Sequence, residues 1–413
     1  MVRTISATIF AAASVLLTAP SAFSQTLTSL WSEAETRFAL DTGLVTVMRD
    51  GDDINVLADL EARWSVEMLT DSGRRFGFVL AGRVERDSGR EAWGNRVGDC
   101  PPGLADCASL QVDGLDRALR GTASGLFSAG PADNRRAHAA LEVGYAYLHS
   151  GWGEWRLGAG TGAADLDAVR GPTAFRLSRA DGGRVDITGL SGARTRNLSS
   201  GFDPKLLFRS IALGQISTIG TFRASLSYTP EVALCGVDHC AGNFGASDPL
   251  TPPVDDVFEA GFLYEVRRGD HDLAFSAGLS RGSDGSNLAG LAGIRAEDAG
   301  LSWRSGQWRA GARWYRSNQA LSGDASYEAL AVSAGYEAGD WLTTLEWANF
   351  SDDLVHVSGQ SWQLSASKLI GDHWVAGAGI QLAERSVPVL EPAGRRELSD
   401  ESSAVFVELG WRY

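Results

Sequence analysis

The chain has 413 residues, of which 44% are hydrophobic and 21% charged, and its formal net charge is -14. This acidic balance argues against nucleic acid or an anionic lipid surface as a partner. Beyond the N-terminal segment no apolar run approaches the ~18 residues that a transmembrane helix needs, which excludes a helical membrane protein. The 49 glycines follow no collagen period, so they favour a fold with many strands and turns.

The N-terminal segment is typical of an export signal. Arg3 provides a positive charge, residues 5–19 are apolar, and Ala22-Phe23-Ser24 places small residues at the positions that precede a cleavage site. We therefore predict a signal peptide over residues 1–24 and an exported mature chain over residues 25–413.

The mature chain repeats with a period of two residues, which is the period of a β-strand with one apolar and one polar face. Every even-numbered residue from Val56 to Met68 is apolar, whereas Asp59, Glu61 and Arg63 occupy alternate positions. The same alternation predicts apolar strand faces at Phe76, Phe78, Leu80 and Val84; at Leu141, Val143, Tyr145 and Tyr147; at Phe222, Leu226 and Tyr228; at Phe258, Phe262 and Tyr264; and at Trp308, Ala310, Ala312 and Trp314.

Short and long connections alternate between these strands. Tight polar turns fall at residues 70–74, 150–154, 267–271, 305–307, 338–340 and 371–373, and longer links at 87–136, 160–204, 230–255, 282–296 and 385–402. Short turns at one end and long loops at the other are typical of a bacterial outer-membrane barrel. We predict an all-β fold, a transmembrane antiparallel β-barrel of about 16 strands, or about 18 because the segment 160–220 is ambiguous.

The tryptophans favour such a barrel over a soluble β-sandwich. Trp155, Trp308, Trp341 and Trp374 lie one to three residues from a tight turn on the apolar face of their strands, whereas Trp362 lies at the loop end of its strand. This placement predicts an aromatic girdle at a membrane interface. A sandwich core would scatter these side chains along the strands.

The four cysteines form two close pairs in predicted loops: Cys100 with Cys107, and Cys235 with Cys240. Export places them in an oxidising compartment, so we predict local disulfides, one of three possible pairings. Neither spacing matches the roughly two to four residues of a zinc knuckle. We therefore expect no metal site there.

The last ten residues, Ala404–Tyr413, resemble the closing strand of an outer-membrane protein. Their alternate positions are apolar, and Trp411 and the terminal Tyr413 resemble the signal that the barrel-assembly machinery reads. Together with Thr70-Asp71-Ser72-Gly73 before Phe76-Gly77, and Leu141–Tyr145 before the turn at Gly151–Gly153, they make the mature chain similar to general-diffusion porins, the alphaproteobacterial type in particular.

This resemblance implies a water-filled channel in the cell outer membrane, among lipid and lipopolysaccharide, formed by a homotrimer and passing small hydrophilic solutes and ions. It also implies that the third loop, here about 160–204, folds into the lumen opposite a basic wall. The inward positions of Arg37, Arg63 and Arg83 on successive strands predict such a patch, with Arg313 elsewhere on the wall. The loop carries Asp165, Asp167 and Asp181, and we expect Asp165 and Asp167 to face the patch across the constriction.

Other motifs do not predict catalysis or a cofactor. Asp41-Thr42-Gly43 resembles an aspartic-protease loop, but no second copy exists to share a proton. The glycines from 158 to 162 precede no helical pattern that would bind a dinucleotide, and Asp50, Asp52 and Asp53 lack the distal Glu of a calcium loop. A substrate-specific channel for sugars or phosphate, and an outer-membrane enzyme or adhesin, are the alternative interpretations.

Overall fold

The computed structural model describes residues 34–50, 54–70, 73–86, 138–190, 192–214, 220–232, 254–284, 292–318, 320, 326–353, 357–391 and 394–412. These residues form sixteen strands and one short helix, α1 (Ala163–Leu166). The strands are β1 (Glu35–Arg49), β2 (Asn55–Leu69), β3 (Arg75–Arg86), β4 (His138–Ser150), β5 (Gly153–Ala159), β6 (Pro204–Ser210), β7 (Thr221–Val232), β8 (Val254–Arg268), β9 (His271–Asp284), β10 (Arg295–Ser305), β11 (Trp308–Ser317), β12 (Tyr327–Ala338), β13 (Trp341–Asp352), β14 (Val357–Ile370), β15 (Trp374–Glu391) and β16 (Gly394–Arg412). No helix in the described part of the chain is long and apolar enough to cross a membrane.

The strands form one closed antiparallel barrel. Each strand pairs with its neighbours in the sequence, and β1 also pairs with β16, with Leu44 opposite Leu409 at this seam. Closure leaves no free sheet edge, so the barrel pairs the backbone groups that an open sheet would expose. The predicted all-β antiparallel barrel and its count of sixteen strands are confirmed, and residues 160–203 contribute a loop instead of further strands.

The predicted tight turns lie at one end of the barrel, which we call the short-turn end; the opposite end is the long-loop end. Gly306 and Gly339 begin two of these turns with φ of 56° and 60°. A Cβ at either position would have no neighbouring atom within 4 Å. The left-handed backbone, and not crowding, therefore favours glycine at both positions.

The outward side chains form an exposed apolar belt, as the alternation predicts. Members of this belt are Phe38, Val56, Leu60, Leu226, Phe262, Leu345, Leu364 and Val407. Trp155, Trp308, Trp341 and Trp374 are also exposed and lie next to the short-turn end, where they form the predicted girdle. Trp362 lies nearer the long-loop end, with its ring 6.0 Å from that of Trp347.

Strand β4 departs from the predicted alternation. A register shift between β3 and β4 inserts an extra residue, and such a bulge reverses the faces on which the following side chains lie. Leu141 is exposed on the outer surface, whereas Tyr145 is buried and the Tyr147 hydroxyl donates to Glu67 Oε2 at 2.7 Å. Tyr145 and Tyr147 therefore lie on the inner face instead of the predicted lipid face.

The predicted long link at 385–402 is wrong. Most of this segment belongs to β15 and β16, which pair as far as Glu391 and Gly394. Ser386 pairs with Ser399 within this extension. Residues 387–390 are an apolar run and residues 395–402 are polar except at Leu398, so neither half of the hairpin shows the alternation that predicts a strand.

Several predictions concern positions outside the described residues. These are the signal peptide 1–24, the cysteines Cys100, Cys107, Cys235 and Cys240, the terminal Tyr413, and the acidic turn residues Asp52 and Asp53. They stay predictions.

Candidate functional site

Residues 160–203, which we call loop 3, fold into the lumen and follow its wall. The Ala163 amide of loop 3 donates to Ser227 Oγ on β7 at 2.9 Å. Farther along the loop, the Ala174 amide donates to Thr344 Oγ1 on β13 at 3.2 Å. The loop therefore spans from β7 to β13 in its first fifteen residues, and the predicted inward-folded third loop is confirmed.

Glycines on the inner wall allow the loop backbone to approach closely. A Cβ at Gly300 of β10 would lie 2.2 Å from the Val169 carbonyl oxygen, and one at Gly261 of β8 would lie 2.1 Å from the Ala163 carbonyl oxygen. Both distances are far below van der Waals contact. The wall therefore needs glycine at these two inward positions for the loop to lie against it.

Glu408 of β16 anchors the middle of loop 3. Its Oε1 accepts the amides of Arg176 and Leu177 at 3.2 and 3.1 Å, and its Oε2 accepts the Ser178 amide at 3.0 Å. The carboxylate is buried, and hydrogen bonds from backbone amides to a charged acceptor are among the stronger ones in proteins. One inward residue of the last strand thus fixes three consecutive loop residues.

An apolar cluster holds the same part of the loop against the seam between β1 and β16. Loop residues contribute Ala174, Phe175, Leu177, Val185 and Ile187, and the wall contributes Val45, Val47, Leu57, Ala404 and Phe406. The rings of Phe175 and Phe406 pack edge to face with centroids 5.5 Å apart. Leu177 fits over Gly43, where a Cβ would lie 2.5 Å from its Cδ1.

The second half of loop 3 returns along the wall and ends at a buried lysine. The Tyr327 hydroxyl of β12 accepts the Arg194 amide at 2.7 Å and donates to the Gly192 carbonyl at 2.8 Å. At the base of the loop, Lys205 Nζ donates to the Gly201 carbonyl at 3.0 Å and also to the carbonyls of Gly160 and Ser200. This ammonium group joins the start of the loop to its end.

The wall of β1–β3 is acidic where loop 3 docks on it. Arg184 Nη1 and Nη2 contact Asp59 Oδ1 at 3.0 Å and Glu61 Oε2 at 2.7 Å. Arg176 contacts Asp41 at 2.7 Å and also reaches Asp59. In these contacts the loop contributes the arginines and the wall contributes the carboxylates, the reverse of the arrangement that the resemblance implied, although Arg83 of the wall also pairs with Asp59.

A second ionic cluster surrounds Asp165, at the start of α1. Arg196, Arg170 and Arg313 approach its carboxylate at 2.6, 3.5 and 3.3 Å. Burial raises the pKa of Asp165, but attraction by the three guanidinium groups outweighs burial and holds this pKa well below its ordinary value. Asp165 therefore stays ionised throughout the neutral and mildly acidic range.

A third cluster, formed by two arginines and a tyrosine, lies on the inner wall of β2, β4 and β5. Arg63 is exposed to the lumen and its Nη2 lies 3.4 Å from the Tyr145 hydroxyl. The guanidinium carbon of Arg156 lies 4.9 Å from the centroid of the same ring, within the range of a cation–π contact. Tyr145 thus orients two arginines toward the lumen.

The structure separates the predicted constriction residues. Arg37 lies exposed at the short-turn mouth and contacts Glu35 at 2.7 Å. Arg83 is buried against Asp59 and contacts Glu85 at 2.9 Å, because β2 and β3 place these carboxylates beside it.

The other predicted residues have their own partners. Arg313 is buried between Asp165 and Asp298, and Asp181 accepts the Thr195 amide at 2.9 Å within loop 3. Asp167 contacts Arg209 of β6, whose Nε donates at 2.8 Å. Asp165 and Asp167 therefore pair with other arginines instead of the predicted Arg37, Arg63 and Arg83.

A cavity of about 870 Å³ lies on the short-turn side of loop 3. The loop contributes Arg170, Gly171 and Pro172, and the wall contributes residues of β7–β11, among them Glu265, Arg267, Asp272, Arg304 and Arg309. Because charged side chains line this cavity, we infer that water fills it. Solutes that pass the loop would enter this vestibule.

Comparisons with known proteins agree with this geometry. A family model described as Gram-negative porin matches residues 11–383. The fold is similar to OmpT, an outer membrane protein of Vibrio cholerae solved in a trimer form, with 10% identity, a TM-score of 0.52, and coverage of 92% of this chain and 99% of that one. An anion-selective porin from Comamonas acidovorans gives 14% identity, a TM-score of 0.49, and coverage of 92% and 100%. No curated protein matches the sequence.

Proposed function

The chain belongs to the Gram-negative porin family, and we propose that it forms a water-filled channel through which small hydrophilic solutes and ions cross the outer membrane by passive diffusion, without a catalytic step. The contrast between the two faces of the barrel carries this proposal. The outer face is an exposed apolar belt, whereas Arg63, Glu67 and Arg75 on the inner face keep contact with solvent. Charged side chains that are exposed on the inside of such a barrel need water to solvate them, which supports a water-filled lumen.

We propose that the channel is a homotrimer whose long loops face the cell exterior. OmpT of Vibrio cholerae, which has a similar fold, is described in a trimer form. We also propose that the barrel-assembly machinery inserts the chain among lipid and lipopolysaccharide through its last strand. Trp411 on that strand packs on Trp374, with ring centroids 6.2 Å apart, at the short-turn end.

Purified protein in planar bilayers and in liposomes tests this function. We expect stepwise conductance that rises linearly with salt concentration, and liposome swelling that slows smoothly as neutral sugars become larger. Saturation of the flux by one sugar or by phosphate would favour a substrate-specific channel instead. Chemical cross-linking before denaturation tests the trimer, for which a monomer-only pattern would count against the proposed assembly.

A further inference from the structure

Arginines line a continuous path on the inner wall, from β2 to β6. Arg184 of loop 3 contacts Glu61 Oε2 on β2 at 2.7 Å. Arg63 follows Glu61 by two residues on the same face of that strand, a separation of about 7 Å along the strand. Arg63 in turn lies 3.4 Å from the Tyr145 hydroxyl. The path thus passes from the edge of loop 3 by way of Glu61 to Arg63 on the wall.

The path continues across β5 to β6. Arg156 lies over the Tyr145 ring and pairs with Glu154 two residues away. Glu154 is the register partner of Arg209 on β6. We call Arg184, Arg63, Arg156 and Arg209 the arginine strip.

Two ion pairs of the arginine strip expose the cation more than the anion. The Arg184 side chain is 28% exposed and its partner Asp59 is fully buried, whereas Arg209 is 29% exposed against 7% for Asp167. Glu61 and Glu154 are exceptions, since they are exposed to about the same extent as their partners Arg184 and Arg156. At Arg184 and Arg209 an ion in the lumen therefore meets a guanidinium group with a buried carboxylate behind it.

Arg63 has no opposing carboxylate in the part of the chain that the structure describes. Among the described residues no Asp or Glu forms an ion pair with it, and its described polar partner is the neutral Tyr145 hydroxyl. It lies near the middle of the strip and is exposed to the lumen. Its full positive charge consequently acts on ions in a confined aqueous space, where walls of low dielectric strengthen the field.

We propose, on the basis of the channel function given above, that the arginine strip makes this porin selective for small anions, which pass from one guanidinium group to the next. The planar, permanently charged guanidinium suits chloride, phosphate and carboxylates alike. The chain's net charge of -14 does not oppose this, because charges farther than a Debye length of about 8 Å from the path are screened.

Reversal potentials in a KCl gradient test the proposal. We expect the wild-type channel to prefer chloride over potassium, and Arg63→Gln to lower this ratio about sevenfold. One charge about 7 Å from the ion in a water-like dielectric changes the permeability of each ion about 2.7-fold, in opposite directions for chloride and potassium. Arg63→Lys keeps the charge and should keep most of the preference. Arg316→Gln removes the same charge from an exposed position on the outer register of β11 and should leave the ratio unchanged.

The outcomes separate the proposal from the channel function. A channel that conducts without chloride preference, or equal shifts in Arg63→Gln and Arg316→Gln, would overturn anion selectivity while diffusion through the barrel stands. A protein that inserts as a trimer but carries no current would refute the channel function itself. Conductance with a chloride preference that only the Arg63 variant loses supports both.

Discussion

Replacing Glu408 by Gln is expected to release the middle of loop 3 from the wall. Three backbone amides donate to this carboxylate. A glutamine oxygen at the position of Oε1 can still accept the Arg176 and Leu177 amides, but its NH₂ group then faces the Ser178 amide, so at least one of the three bonds is lost. At about 1.5–3 kcal/mol for a bond to a charged group, docking of residues 176–178 weakens by at least about 1.5–3 kcal/mol.

The same substitution should not expel the whole loop from the lumen. Phe175, Leu177 and Ile187 are almost fully buried, and each contributes about 1.5–3 kcal/mol through the apolar area it removes from water. Their sum of about 4.5–9 kcal/mol exceeds the loss of about 1.5–3 kcal/mol for one bond at Glu408. We therefore expect local opening at 176–178, with a larger and noisier single-channel conductance.

Hydrogen exchange of the loop peptides and single-channel recordings test this expectation together. Faster exchange in Glu408→Gln should be confined to amides near residues 176–178, while peptides from the strands stay protected. Glu328→Gln makes the same chemical change at an exposed position on the outer register of β12 and serves as the control. If the amides near 176–178 stay protected and the conductance matches the control, Glu408 is not the anchor.

Four further changes test other parts of the structure. Gly300→Ala should displace residues near 169 and alter conductance, since its Cβ would meet the Val169 carbonyl at 2.2 Å; an unaltered channel would contradict the close approach. Leu177→Ala should cost about 2–5 kcal/mol of loop or barrel stability in thermal unfolding, and no loss would mean that the apolar cluster is loosely packed. The folded-state pKa of Asp165 is lowered, so the stabilisation from its charge is present above the unfolded-state pKa of about 3.9 and is lost only below it. Hydrogen exchange of the amides near 165–170, corrected for intrinsic rates, should therefore be constant from neutral pH to about 4. Loss of their protection at pH ~5 would refute this. Deleting Tyr413 should reduce the amount of inserted barrel but not signal cleavage, as measured by membrane fractionation; normal insertion would refute its role as the assembly signal.

The barrel was predictable from sequence because lipid and water act on alternate residues of every strand. Val56 and Leu226 belong to the apolar face in the sequence and to the exposed outer belt in the structure. The alternation fails at two places. At Tyr145 a bulge reverses the faces of β4, and after Ser386 the paired strands continue through residues that do not alternate between apolar and polar.

The path of loop 3 was less predictable because its partners have no periodic pattern. In the sequence, Glu408 and Asp59 look like ordinary solvated lumen residues. Their loop partners are distant in the chain: Leu177, which donates to Glu408, is 231 positions away from it. Gly261 and Gly300 on the inward register were the available signal, since glycine within a strand often marks a close backbone approach. Arg83 was placed on the correct face, but the register that buries it beside Asp59 depends on distant chain segments.

The apolar cluster under loop 3 also joins the first two strands to the last one. Val45 and Leu57 come from β1 and β2, Phe406 comes from β16, and Leu177 of the loop packs among them. The free energy of loop docking is thus available only once the seam is formed, so the loop acts like a tethered ligand of the closed state. During biogenesis the narrow part of the lumen would form last, and its formation would make reopening of the seam less favourable.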